Sequence, residues 1–277
     1  MVTSVHTNTA AQIALQNLNT TNRELETSQT RISTGLKIAT AKDNASIYAV
    51  AQGLRADIGS YNAVKNSLNR AQSIADVSMA AGSSVSDLLV TAREKVLAAM
   101  DPSLDTASRD AYNNDFKSIL KQITSVLNNA AFDGANILNN SLPADIAFIA
   151  DSNAGQTITL QREDLSLGGS IITLTTTDSI GTVSLASAVR TALDASIDNV
   201  NAALGRLGSK SKQVENHNIF VTKLMDALNT GVGNLVDADM ATESAKLQSL
   251  QVKQQLGVQA ISIANQAPQT ILSLFRS

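Results

Sequence analysis

The sequence predicts a mainly α protein: a long antiparallel, coiled-coil-like helical rod built from N- and C-terminal segments, with a small β-rich central insert. Three observations predict it. Apolar residues recur at alternating steps of four and three through much of both halves, the spacing of helices that meet a partner along one seam. Between about residues 141 and 184 this period gives way to alternation. Aromatic residues make up only 3% of the 277 and Trp is absent, so the core must be assembled from small aliphatic contacts, which suits helices laid side by side.

At the N-terminus Ala11, Leu18, Leu25 and Ile32 recur every seven residues. Fifteen of the first 34 residues are Ser, Thr or Asn, whose side chains compete with the helical backbone for hydrogen bonds. Such a helix is marginal in water by itself. A second helix is expected from near Ala45, with Asp43-Asn44 at its N-cap. It carries Ile47, Ala51, Leu54, Ile58, Tyr61, Lys65, Leu68, Gln72, Ala75 and Met79 on one face and continues through Val85, Leu89 and Val96 to Ala99. Asp101-Pro102 ends it, because the residue before Pro is driven out of the α region. Tyr112, Phe116, Ile119, Ile123, Val126 and Ala130 predict a third.

In the insert, DIAFIA, QTITLQ and SIITLTTT are β-branched and alternating, punctuated by Asn153, Gly155, Gly168 and Gly169. They read as two or three short strands in hairpins. About 44 residues hold little core of their own, so the insert is expected as a cap on one end of the rod. Helical spacing resumes with Leu193, Ile197, Val200, Leu204, Leu207, Ser211, Val214, Asn218, Val221, Met225 and Leu228, a helix of roughly 50 Å or more at ~1.5 Å per residue.

The last segment carries two apolar lines. Leu247, Leu250, Ile261, Ala264, Ile271 and Phe275 form one, and Val252, Leu256 and Ile263 a second. One line suffices for one neighbour. With residues 1–22 as the other nearly uncharged helix, only one line can be covered within the chain, so the second predicts an intermolecular surface. Residues 254–275 are uncharged, yet ten of these 22 are Gln, Asn, Ser, Thr or Pro, and unpartnered amides and hydroxyls argue against insertion in hydrocarbon.

The chemistry signals are weak. A net charge of −3, from 21 basic and 24 acidic residues dispersed along the chain, gives no basic stripe for nucleic acid. Cysteine is absent, which excludes disulfides, thiolate metal sites and a Cys nucleophile. His6 and His217 are the only histidines and neither pairs with a second ligand at metal-binding spacing. GRLGSKS, residues 205–211, has two residues between its glycines where a phosphate loop has four, so close helix packing at Gly205 and Gly208 is the reading. Asp237, Asp239 and Glu243 lack the Gly turn and terminal Glu of an EF-hand loop. They mark a helix start that Asp239 can cap, with polar contacts between neighbouring subunits as the alternative. No catalytic, cofactor or metal pattern emerges. MVTSVHTNTA has neither a basic start nor an apolar core, so it is not read as a signal peptide and export would need another route.

RISTGLKIATAKDNASIYAVAQGLRADI (31–58), NNAAFDGANIL (128–138) and VDADMATESAKLQSLQVKQQLGVQAISIANQAPQTILSLFRS (236–277) resemble, in order, blocks of bacterial flagellin. The resemblance covers about 230 residues, all but the insert, and is nearly residue by residue at Asp237-Ala238-Asp239, Asn265 to Gln269 and Leu272-Ser273-Leu274. Asp43-Asn44-Ala45-Ser46-Ile47 departs from it, since the family more often shows Asp-Asp-Ala-Ala-Gly there.

The resemblance implies a structural subunit polymerised into the extracellular flagellar filament for swimming, not an enzyme. Residues 1–40 and 236–277 would be the two halves of an inner tube domain, 41–140 and 185–235 the halves of a rod domain, and 141–184 a short outer insert. Self-assembly would use Leu18, Leu25, Ile32, Leu250, Leu256, Ile261, Ile263, Ile271, Leu272 and Phe275, the terminal helices ordering as copies surround them. Implied partners are other copies or related flagellins, the type III export apparatus with its chaperone, and the cap and hook-associated proteins. Candidates for O-linked sugar are Thr173, Thr175, Thr176, Thr177, Ser179, Thr182 and Ser184. A flagellin-like hook–filament junction protein is the alternative. A protease-bearing flagellin would need a metal motif and a larger insert.

Overall fold

The structure, a computed structural model, describes residues 7–141 and 144–274, with side chains in the final helix described as far as 266. Helices α1 (Thr9–Thr34), α2 (Ala45–Ala99) and α3 (Thr106–Asn129) are followed by strands β1 (Ile146–Ile149) and β2 (Thr157–Leu160), then helices α4 (Val183–Val236) and α5 (Met240–Leu274). The residues group into two compact units: one from the segments up to Ala56 and from Ala227, the other Asp57–Asp226. Among the described residues no helix is long and apolar enough to cross a membrane.

Helix ends are set by local chemistry. Asn8 Oδ1 accepts from the Ala11 N–H and starts α1, and Gly35 in the left-handed region (φ 72°) closes it. Asn44 Oδ1 accepts from Ile47 N–H to start α2, while Asp43 takes the Ala39 and Thr40 amides and so holds the turn before it. After α2 the carbonyls of Ala99, Asp101 and Leu104 are taken up by the Arg109 guanidinium, which meets the need for acceptor satisfaction at a helix C-terminus. Asp239 caps α5 through the Ala241 and Thr242 amides.

In the unit of residues 57–226, α2 and α4 run antiparallel, joined at Asn69–Asn218, Gln72–Ser211 and Arg93–Asp194. Helix α3 folds back on α2, with Lys95 Nζ 2.8 Å from Asp115. Leu68, Ala75, Leu89, Val96, Phe116, Ile123, Leu193, Val200, Leu207, Val214 and Val221 are all buried in this core, and each lies on the predicted heptad lines.

The insert is not an end cap. Strands β1 and β2 pair antiparallel, Phe148 opposite Ile158, but SIITLTTT is not a strand: it makes one isolated parallel bridge, Leu167 to Ile172. Its alternation comes instead from burial of Ile172 and Leu174 against the helices with Thr173 outside. Phe148, Leu160, Leu165, Ile172, Leu174 and Ile180 join the same core as α2, α3 and α4. The segment runs along α4 as a strap. His217 Nε2 donates to the Ala150 carbonyl, Arg206 grips Glu163, Asn199 donates to the Ile171 carbonyl, and Ser196 Oγ accepts from the Thr173 amide. These points span roughly 30 Å of helix at ~1.5 Å per residue. A segment too short for its own core thus borrows one from the helices.

The glycine expectation in α4 also fails. A Cβ at Gly205 or Gly208 would meet nothing within 4 Å, whereas one at Gly82 of α2 would stand 2.6 Å from Leu204 Cδ2. The close approach of α2 and α4 is made by Gly82.

Candidate assembly surface on the paired terminal helices

In the other unit α1 and α5 form an antiparallel pair. At its root a short two-stranded bridge forms: Lys37 N–H donates to the Val236 carbonyl at 2.7 Å, Ala238 N–H to Gly35 at 2.9 Å, and Leu36 pairs with Asp237. In the first turn of α5, Glu243 is only 8% exposed. Its Oε2 accepts from Ser28 Oγ and its Oε1 from Arg31 Nη1, each at 2.8 Å. The Arg31 hydrogen bond, then that of Ser28, holds the Glu243 carboxyl below its usual range, against the opposing effect of burial. Glu243 was expected at a helix start, with contacts between subunits as the alternative; its partners are within the chain.

Farther out the links are lighter. Gln254 Nε2 donates to Asn22 Oδ1, Asn8 Nδ2 donates to the Ala264 carbonyl, and Gly257 packs against Leu18, where a Cβ would stand 3.2 Å from Leu18 Cδ1.

This pairing covers one apolar line of α5. Leu250 is buried, and Leu247, Ile261 and Ala264 are half-buried, facing Leu18, Leu25 and Ile32, which are half-buried too. On the second line Val252 is 55%, Leu256 57% and Ile263 67% exposed. At 3.6 residues per turn these three fall within about 40° of one another, on the side of the helix away from α1. Leu15 on α1 and Val258 on α5 are exposed beside the seam and Ile13 is exposed on the far side of α1; none was singled out in the sequence, since isolated apolar residues off a heptad line leave no periodic signal. The side chains of Ile271 and Leu272, and Phe275 altogether, lie outside the described residues.

The sugar candidates, in the strap and at the start of α4, separate by environment. Thr175 Oγ1 donates to Asp178 and contacts Thr177, Ser179 Oγ donates to Asn113, Thr182 Oγ1 caps α4 through Leu185 N–H, and Thr173 contacts Ser196. Thr176 and Ser184 are exposed.

Two family models match the chain, the bacterial flagellin N-terminal helical region over residues 5–142 and the C-terminal helical region over 191–275. Flagellin FljJ of Caulobacter vibrioides is 52% identical over all of this chain and 99% of its own length; FljM of the same organism is 50% identical over 99% and 98%. A flagellin of Brucella melitensis is 36% identical over 99% of both.

The chain belongs to the bacterial flagellin family. This flagellin is therefore a structural subunit that polymerises into the extracellular flagellar filament. Matches along the whole length to proteins named flagellin do not favour the junction-protein alternative.

Proposed function

We propose that this flagellin builds the bulk of a filament through its terminal helix pair, with the outward line of α5 as a surface that neighbouring copies cover. One observation carries the reading: Val252, Leu256 and Ile263 stay more than half exposed although α5 already has its intramolecular partner. Burying three such side chains between copies yields on the order of 5 kcal/mol per subunit, which offsets part of the entropy of ordering two marginal helices.

In this reading residues 1–40 and 236–277 form the assembly domain, 41–140 and 185–235 a rod domain, and 141–184 the outer segment. Leu18, Leu25, Ile32, Leu250 and Ile261 build the pair; Leu256 and Ile263 present it. Ile271, Leu272 and Phe275 are assigned to assembly from the sequence. The chain leaves the cell unfolded by the type III route, its C-terminal segment held by an export chaperone, and joins a filament between hook-associated proteins and a distal cap. Absence of Cys supports such a passage, since no bridge can form on the way.

Seeding purified full-length chain with filament fragments tests the assembly surface. Leu256→Asp and Ile263→Asp should keep monomer helicity and stop elongation; deletion of residues 254–277 should stop elongation too. Elongation at the parent rate by both point variants would remove α5's outward line from the assembly.

A further inference from the structure

The apolar seam of the α1–α5 pair does not define its own register. Ala11, Leu18, Leu25 and Ile32 stand seven apart, so sliding α1 by one heptad exchanges one small or branched aliphatic for another and leaves the seam nearly as good. Where apolar repeats are degenerate, a buried polar group can select one alignment, because only one alignment satisfies it.

We propose that Ser28, Arg31 and Glu243 are the register key of the terminal helix pair. Ser28 is the buried residue of α1, at 1% exposure, and faces Glu243, so the key occupies a dry part of the seam. Arg31 of α1 and Lys246 of α5 are the cations acting on Glu243. A slip of one heptad in one direction brings Thr21 and Glu24 to the places of Ser28 and Arg31. Glu243 then keeps a hydroxyl, from Thr21, but faces a second carboxylate in place of a guanidinium, and a buried carboxylate beside a like charge with its cation removed is strongly disfavoured. The opposite slip brings Gly35 and Ile38, which lie past the end of α1. Only the observed register gives Glu243 a hydroxyl and a cation. What the register serves rests on the assembly reading above; the key itself does not, since its contacts lie within one chain.

The chain has no Cys, so a cysteine pair can report the register. A Cβ at Gly257 would stand 3.7 Å from Leu18 Cβ, inside the range a disulfide bridges. Leu18→Cys with Gly257→Cys reports the observed alignment, and Ala11→Cys with Gly257→Cys reports the slip that brings Glu24 to Glu243. Each pair is oxidised with and without Glu243→Gln, in the soluble full-length chain and in seeded filaments. The first pair should close and the second stay at background while Glu243 is present. Glu243→Gln should raise the slipped cross-link by about tenfold or more, the change expected on losing a charge-assisted hydrogen bond. Arg31→Glu combined with Glu243→Arg should leave it raised, because the new guanidinium is met by Glu24 in the slipped alignment as well as by the new carboxylate in the observed one. A slipped cross-link no stronger with Glu243→Gln than without it overturns the proposal, as does failure of the first pair to close in both soluble chain and filament. Normal elongation by both Leu256→Asp and Ile263→Asp alongside the expected cross-links would overturn only the assembly reading.

Discussion

Gly82 of α2 lies against Leu204 of α4 so closely that a methyl group on its Cα would come within 2.6 Å of Leu204 Cδ2. Gly costs a helix interior about 1 kcal/mol relative to Ala, so its presence at the centre of α2 reflects that approach. The two effects can be separated. Gly82→Ala in a Leu204→Ala background should raise the unfolding free energy by about 1 kcal/mol, since the helical preference is then gained without a clash. In the parent the same change should gain less or destabilise, because Leu204 must move. Denaturant unfolding of the four proteins of the cycle measures the coupling; additivity would show that Leu204 yields freely.

The strap is tied down by Glu163, 6% exposed, whose two oxygens take Arg206 Nε and Nη2 at 2.8 and 2.6 Å. The Arg206 side chain is 52% exposed, so a freed guanidinium can turn to water, whereas a freed Glu163 carboxylate stays inside. Arg206→Ala should therefore destabilise the 57–226 unit by about 3 kcal/mol, more than Glu163→Gln does. Thermal unfolding checks the order, and the reverse ranking would mean that Glu163 reaches solvent.

Acid should loosen the terminal pair through Glu243. Its carboxyl is held below the usual range when paired, by Arg31 first and Ser28 second, so the ionised form favours the paired state. That contribution is fully present above the ordinary glutamate value of about 4.3 and is lost as pH falls through the lower value of the paired state. Asp43 and Asp239, also lowered by their hydrogen bonds, titrate in the same sense and remain in Glu243→Gln. Far-UV circular dichroism against pH should show a shallower acid loss of helicity in Glu243→Gln than in the parent; superimposable curves would refute the assignment.

Leu250 and Leu256 lie six residues apart on one helix, and the first is 2% exposed while the second is 57%. Leu250→Ala should weaken the pair within the single chain by about 2–4 kcal/mol. Leu256→Ala should change monomer stability by no more than about 0.5 kcal/mol yet slow elongation on seeds. Hydrogen exchange of the monomer reads the first effect and elongation rate the second.

If the filament carries O-linked sugar, Thr176 and Ser184 should be the preferred acceptors among the seven candidates. Thr175, Ser179 and Thr182 use their hydroxyls to hold Asp178, Asn113 and the start of α4, and substituting those oxygens would break the contacts. Peptide mass mapping of native filaments decides; sugar mainly at Ser179 would contradict the ordering.

The helices, their seams and the two lines on α5 were legible in the chain before it folded. Heptad spacing, the Asn44 and Asp239 caps and the stop before Pro102 are local or periodic signals, and local hydrogen bonding and one-sided burial enforce them wherever the chain goes. Tertiary structure alone decided which partner each seam met. Alternation in residues 170–177 reads the same whether a strand has a ladder neighbour or docks on helices, and it was the missing edge that made SIITLTTT part of a strap. Gly205 and Gly208 carried the expectation of close packing, but the contact went to Gly82, because helix phase against a partner is not written in either helix separately. Glu243 shows the same division: its position in the first turn of α5 was legible, whereas its burial against Ser28 and Arg31, more than 200 residues away in the chain, exists only once the ends are brought together.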